Sequence, residues 1–146
     1  DVERSRGLGD VYKRQEEEHL GSAKYGAALA FAYAEAQVGK ITVITRRAIG
    51  PSYVVMGSKD LGADMVFAWP TAQIALADAT TAAEHLGVDA DEYAAAHLTP
   101  YVATERGLVD AVIEPSHTRT QVTEALRLLE RKVVYAIPKK HGNIPL

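Results

Sequence analysis

A chain of 146 residues with 47% apolar content is long enough for one domain with a real core, burying about 68% of the surface its unfolded form exposes. Sixteen basic against nineteen acidic residues leave a net charge of −3, which argues against a general partner for nucleic acid or an acidic membrane. The absence of cysteine removes disulfides, thiolate zinc sites and cysteine nucleophiles together and fits a reducing compartment, and no apolar run approaches the roughly 20 residues that span a bilayer.

Residues Asp1 to Arg14 are charged and glycine-containing, with no period that buries a face. They are either a leader foreign to the protein or an authentic extension, and we expect the former. From Glu16 to Val38 the chain is rich in alanine and opens on three glutamates, the sign of charge that a helix N-terminus favours. Its small residues Ala23, Ala27, Ala28, Ala30 and Ala34 and its bulky Leu29, Phe31 and Tyr33 predict a helix buried on more than one side, stopped by Gly39 and Lys40. Ile41 to Thr45 is β-branched and short, and reads as a buried strand.

Ala48-Ile49-Gly50-Pro51 carries turn punctuation, and Ser52 to Ser58 reads as a short helix opening on it. Asp64 to Trp69 and Gln73 to Leu76 are expected as strands joined by a tight turn at Pro70-Thr71. Ala79 to Leu86 and Asp91 to His97 predict helices separated by Gly87, and Thr99-Pro100 opens a third over Tyr101 to Arg106. After a short strand at Ala111 to Ile113, Pro115-Ser116 starts an amphipathic helix with Val122, Ala125, Leu126 and Leu129 on one stripe, away from Arg119, Arg127 and Arg131. Strands alternating with helices indicate an α/β layered fold.

The five histidines, His19, His85, His97, His117 and His141, are scattered without a metal-ligand spacing, so no metal site is expected. Ser52 follows a glycine turn, but in the setting G-P-S-Y rather than the G-x-S-x-G of a nucleophile on a sharp corner. A serine capping a helix is the simpler reading. His117 and Arg119, at the start of the last helix, are read as structural. What the strand-loop-helix corner does offer is backbone N–H groups at a helix start, which stabilise an oxyanion without a titrating side chain.

Three stretches resemble one family: GSAKYGAALAFAYAEAQVGKITVITRRAIGPSYVVMGSKDLGADMVFAWPTAQIA, then TPYVATERGLVDAVIEPSHTRTQVTEALRLLERK, then KKHGNIPL. In this order LGAD, AWPTA, VIEPSHTR and NIPL are similar to the carboxyltransferase (β) subunits of propionyl-CoA and related biotin-dependent acyl-CoA carboxylases. The resemblance covers nearly everything after Gln15. It implies a crotonase-like fold of ββα units in a spiral, with residues 15–146 forming an incomplete C-terminal carboxyltransferase domain whose N-terminal companion half lies elsewhere.

What the resemblance further implies is a transfer of CO2 from carboxybiotin on a carrier protein to the α-carbon of a short acyl-CoA, propionyl- or acetyl-CoA. In this family biotin is the cofactor and no metal belongs to the segment. The expected partners are a biotin carboxyl carrier or biotin carboxylase (α) subunit and further copies in a hexamer, in a bacterial cytoplasm, with neither nucleic acid nor membrane involved. Activity from this chain alone is not expected.

The family's biotin-side oxyanion loop, Gly-Gly-Ala-Tyr, falls on Gly50-Pro51-Ser52-Tyr53. Gly50, Pro51 and Ser52 are thereby the catalytic loop, and Tyr53 and Val54 bind substrate, the latter at the position that helps choose acyl length. Pro51 has no N–H, so the loop keeps the N–H of Ser52, with its hydroxyl as a substitute donor. The spacer between Leu76 and Thr99 is shorter than the family's helical insertion. Three other readings stay open: the same subunit in a methylmalonyl-type decarboxylase, a non-catalytic docking subunit of the same fold, and a crotonase-like hydrolase using Ser52.

Overall fold

The computed structural model describes residues 20–135, so the expectations for Asp1 to Arg14, the first residues of the glutamate-led helix, His19, His141 and the KKHGNIPL end lie outside them. Helix α1 (Ser22–Glu35) is followed by strands β1 (Ile41–Ile44) and β2 (Arg47–Ile49) and the short helix α2 (Pro51–Val55). Strands β3 (Met65–Ala68) and β4 (Gln73–Ala75) come next, then helices α3 (Ala79–Leu86), α4 (Ala90–His97) and α5 (Pro100–Glu105), strand β5 (Ala111–Val112), a 3-10 turn at Pro115–His117 and helix α6 (Thr118–Leu129).

Two parallel sheets organise the chain. β1, β3 and β5 pair in the order β1-β3-β5, while β2 pairs only with β4. Each β1-type strand therefore passes to the other sheet before its helix begins, and β1-β2-α2 and β3-β4-α3 are two successive ββα units, as the resemblance implies. The Pro70-Thr71 turn forms, closed by Ala72 N–H on the Trp69 carbonyl at 3.0 Å, but β3 and β4 do not make a hairpin. β2 was not foreseen: Arg47-Ala48-Ile49 is too short to alternate, and its pairing with β4 comes from residues 26 positions on.

Side-chain alternation along the central strand β3 sends Val66 and Ala68 to one face and Phe67 to the other. The first face joins Ile44, Ala72, Ile74, Ala103 and Val109 in the larger core. Phe67 packs with Ile113 and with Ala125 of α6. Val66 is fully buried, which contributes roughly 1.5–3 kcal/mol. β3 sits between both partners of its sheet, and that is why it reads as a continuous apolar run.

The last helix is fastened at both ends. Trp69 Nε1–H donates to Thr118 Oγ1 at 2.9 Å, and Lys132 Nζ meets Asp64 at 2.7 Å. Its buried stripe differs from the expected one: Ala125 is buried while Leu126 is 56% exposed, because Ala125 is the residue that sits on Phe67 and Ile113. Helix α1 departs from expectation too. It begins after Gly21 at φ 83° and ends at Glu35, before Gly39, and no residue of it with a described side chain is buried. The helix packs on α2, and its Tyr33 lies against Gly57 while the Tyr33 carbonyl accepts from Lys40 Nζ at 2.8 Å. The remaining helices follow their caps: Asp78 accepts from Thr81 N–H and Asp89 from Asp91 and Glu92 N–H, and Thr99 and Pro100 open α5.

Candidate active-site corner

The corner at the C-terminal end of β2 is built by one glycine. Gly50 is buried and holds φ 79°, ψ −169°, a region essentially closed to residues with a Cβ. This turn lets β2 stay paired with β4 through Gly50 itself, whose N–H donates to the Ala75 carbonyl at 2.9 Å. The chain then enters α2 with Pro51 in the first turn, where a fixed φ near −65° suits a helix start.

Counting donors along that turn shows what it offers. Gly50 N–H is committed to Ala75, and Tyr53 N–H donates to the Gly50 carbonyl at 3.1 Å. Pro51 has none. Ser52 N–H is left as the available backbone donor of the first turn, since no intrahelical acceptor precedes it. Ser52 also carries a second donor: its Oγ is shielded and has no hydrogen-bond partner, a state it shares among the described residues only with Tyr53 OH. A shielded hydroxyl left without a partner costs about 1–3 kcal/mol, so two adjacent ones mark the corner as a place organised for something other than internal stability.

Tyr53 packs against the larger core, and burial, followed by the Asp60 carboxylate, pushes its phenol above the ordinary tyrosine range. It therefore stays a neutral hydroxyl at physiological pH. Val54 follows in α2, and its carbonyl accepts from Ser58 Oγ at 3.0 Å. Ser58 is the wholly buried polar residue that closes the other end of α2, accepting in turn from Leu61 N–H at 3.2 Å. The five candidate positions Gly50 to Val54 are thus contiguous on one strand-to-helix corner.

A set of charged groups ties the chain after α2 to the three-stranded sheet and to the end of α6. Lys59 Nζ contacts both Asp110 oxygens at 2.7 Å and the Asp64 carbonyl at 2.9 Å, and Asp110 accepts from Val66 N–H at 2.7 Å. Asp64 accepts from Lys40 N–H and from Lys132, both at 2.7 Å. Burial pushes the Asp64 carboxyl up, but the hydrogen bonds from Lys132 and Lys40 outweigh it and hold the group below the ordinary carboxylate range. The sequence reading missed these residues. The LGAD motif contains Asp64, yet nothing local says that its partners stand 24 and 68 positions away.

Among the described residues no group of three or more histidine, aspartate or glutamate side chains is placed to hold a metal, and no helix is long and apolar enough to cross a membrane. Ser52 Oγ has no histidine partner among the described residues, which leaves a serine nucleophile without its base.

Residues 13–144 match the carboxyl transferase domain family. The β5 subunit of a biotin-dependent acetyl-/propionyl-coenzyme A carboxylase of Mycobacterium tuberculosis is 51% identical over 150 residues, covering 90% of this chain and 27% of that protein. The α subunit of methylmalonyl-CoA decarboxylase from Veillonella parvula is 50% identical over 86% of this chain and 26% of its own length. Transcarboxylase 12S, solved as a hexamer assembly with hydrolysed methylmalonyl-coenzyme A bound, superposes with a TM-score of 0.86 at 44% identity over 92% of this chain and 27% of that one. The β subunit of geranyl-CoA carboxylase from P. aeruginosa, at 20% identity and a TM-score of 0.73, shares the fold. The chain spans about 27% of the length of the first of these relatives.

Proposed function

Because the chain belongs to the carboxyl transferase domain family and has the crotonase-like fold of that family's solved carboxyltransferase subunits, we propose that it forms the biotin-side half of a carboxyltransferase acting on a short acyl-CoA. The complete protein moves CO2 from carboxybiotin to the α-carbon of propionyl- or acetyl-CoA. The observation that carries this reading is the Gly50-Pro51-Ser52-Tyr53 corner, where a glycine-only backbone conformation at the end of β2 leads into a helix start whose Ser52 N–H has no hydrogen bond among the described residues.

The residues present fit biotin. A cyclic urea that gives up a carboxyl group would develop negative charge on its oxygen, and the corner offers such charge the Ser52 N–H, with a Ser52 hydroxyl that lacks an internal partner in the same residue. Biotin supplies the transferable carboxyl group and the base, which accounts for a corner without a catalytic histidine or aspartate. Ser52 N–H holds the anionic oxygen. Gly50 fixes where that N–H points, and Tyr53, anchored in the core, sets the depth of the helix start. Removing one well-placed donor of this kind costs about 2.7–4 kcal/mol in the barrier. Val54 presents an apolar side chain at the position that selects acyl length, favouring broader acyl selectivity; a single methylene there is worth about 10–200-fold.

In this reading residues 15–146, nearly all within the matched span 13–144, are the C-terminal carboxyltransferase domain. The acyl-CoA half of the site comes from an N-terminal companion half, and the partners are a biotin carrier subunit and further copies in a hexamer, in a bacterial cytoplasm. A decarboxylase using the same half-reaction in reverse is the second reading, favoured by the 50% identity to the Veillonella subunit. A non-catalytic docking role is motivated by Pro51 and by a matched span of 150 positions that takes up only 90% of this chain, which means that the relative carries residues missing here.

The test uses the complete protein containing this segment, mixed with its carboxylated carrier and propionyl- or acetyl-CoA. Carboxyl transfer is expected, and Pro51→Gly, which returns an N–H, keeps or raises the rate. Absence of transfer to every short acyl-CoA, with a decarboxylase assay also silent, sinks the catalytic reading.

A further inference from the structure

The two faces of β3 carry separate cores, and the strand-to-helix corner leans on only one of them. Ala48 of β2 and Tyr53 of α2 pack with Val66 and Ala68 in the larger cluster. On the opposite face Phe67 and Ile113 are closed over by Ala125 of α6. Ala125 is the buried residue of that helix, whereas Leu126 and Leu128 are largely exposed, so the docked footprint is narrow and built on a small side chain. Leu129 lies over Gly39, and the rest of the hold is polar and sits at the two ends. Thr118 Oγ1 accepts from Trp69 Nε1–H at 2.9 Å, and Lys132 Nζ bridges Asp64 at 2.7 Å and the Val38 carbonyl at 3.2 Å.

The start of α6 has no side-chain cap, in contrast to α3, α4 and α5 with their caps Asp78, Asp89 and Thr99. The turn from Glu114 to His117 that leads into it is exposed. A helix of 12 residues is marginal in water by itself, so the protection of its backbone depends on docking. Openings within one protein range from nearly free to the cost of global unfolding, and elements with few buried contacts lie at the low end. We propose that α6 is a strap that opens as a unit, released at Thr118 and Lys132, while both sheets and the Gly50 to Val54 corner stay folded. The open form uncovers Phe67 and Ile113, an apolar face on the side of β3 away from the core that supports the corner.

Native-state hydrogen exchange on the full chain, followed residue by residue, tests this. Amides of α6 from Val122 to Leu129 are expected to exchange at least about tenfold faster than those of β3, with a shallower dependence on urea because less surface is exposed. Two variants separate strap opening from global unfolding. Lys132→Met keeps the apolar stem and loses the ion pair, which destabilises the closed form against both the open and the unfolded forms. It should speed exchange in α6 and β3 alike, by roughly tenfold. Ile74→Val thins the larger core, which closed and open forms share, so it should speed β3 about two- to tenfold and leave α6 unchanged. If Ile74→Val accelerates α6 as much as β3, the helix leaves only when the sheets do and the strap is overturned. Equal rates and urea dependence of α6 and β3 in the wild type overturn it too, as does a β3 without protection, since no sheet then stands while the helix opens. Unaltered α6 exchange in Lys132→Met rules out Lys132 as a release point and overturns the inference as stated.

Discussion

Gly50 combines φ 79° with ψ −169°, and at that point the backbone is the site. A Cβ at Gly50 forces the turn toward an allowed region, swinging Ser52 N–H and loosening the bond from Gly50 N–H to Ala75. Gly50→Ala is expected to destabilise the protein by about 1–3 kcal/mol, read as a lower urea midpoint with an unchanged slope. Gly26 and Gly39 make a contrasting pair without positive φ. A Cβ at Gly26 meets nothing within 4 Å, whereas one at Gly39 stands 3.0 Å from Leu129 Cβ. Gly26→Ala, inside α1, should therefore raise stability by roughly 0.5–1 kcal/mol. Gly39→Ala should lower it by about 1–3 kcal/mol through overpacking against α6. Equal effects of the two in urea unfolding would show that contact with Leu129 does not decide the outcome.

At the scale of elements, the strand-to-helix corner was legible because its signals are local: Gly50 and Pro51 punctuate, and Pro51 starts α2 where a proline is tolerated. The caps of α3 and α5 were legible for the same reason, Asp78 and Thr99 each reaching only three residues ahead. What failed was the relation between elements. β2 exists because β4 pairs with it through Gln73, Ile74 and Ala75, and three residues carry no periodicity from which to read that. The stripe of α6 was misread at Leu126 because a helical wheel gives a direction, and the face that is buried depends on where Phe67 and Ile113 stand. Helix α1 was expected to bury several faces, yet its bulky Leu29, Phe31 and Tyr33 are only partly buried. Its composition suits packing that these residues do not provide by themselves.

For the whole molecule, two carboxylates set the response to acid. Asp64 links β1 and the end of α6 through Lys40 N–H and Lys132, and despite burial these bonds hold it below the ordinary carboxylate range. Asp78 is lowered by the Thr81 N–H and Thr80 hydroxyl it accepts from, with Arg47 adding to the effect. A carboxyl whose folded value is depressed contributes stability above its unfolded value and loses it as pH falls through the folded one. Stability is therefore expected to fall in acid, from about the ordinary aspartate value near 3.9 downward. Asp64→Asn should lower the urea midpoint at neutral pH and flatten its decline in acid. Parallel curves for wild type and variant would remove Asp64 from the account. The sequence by itself determined the α/β class, the family, and the Gly50 to Val54 corner, because short-range turn chemistry and a specific order of motifs need no neighbours to be read. Only the tertiary structure decided that β3 and β4 belong to different sheets, that Asp64 and Lys132 meet, and that Ser52 is left holding the corner's unused donors, because each depends on partners brought together across tens of residues.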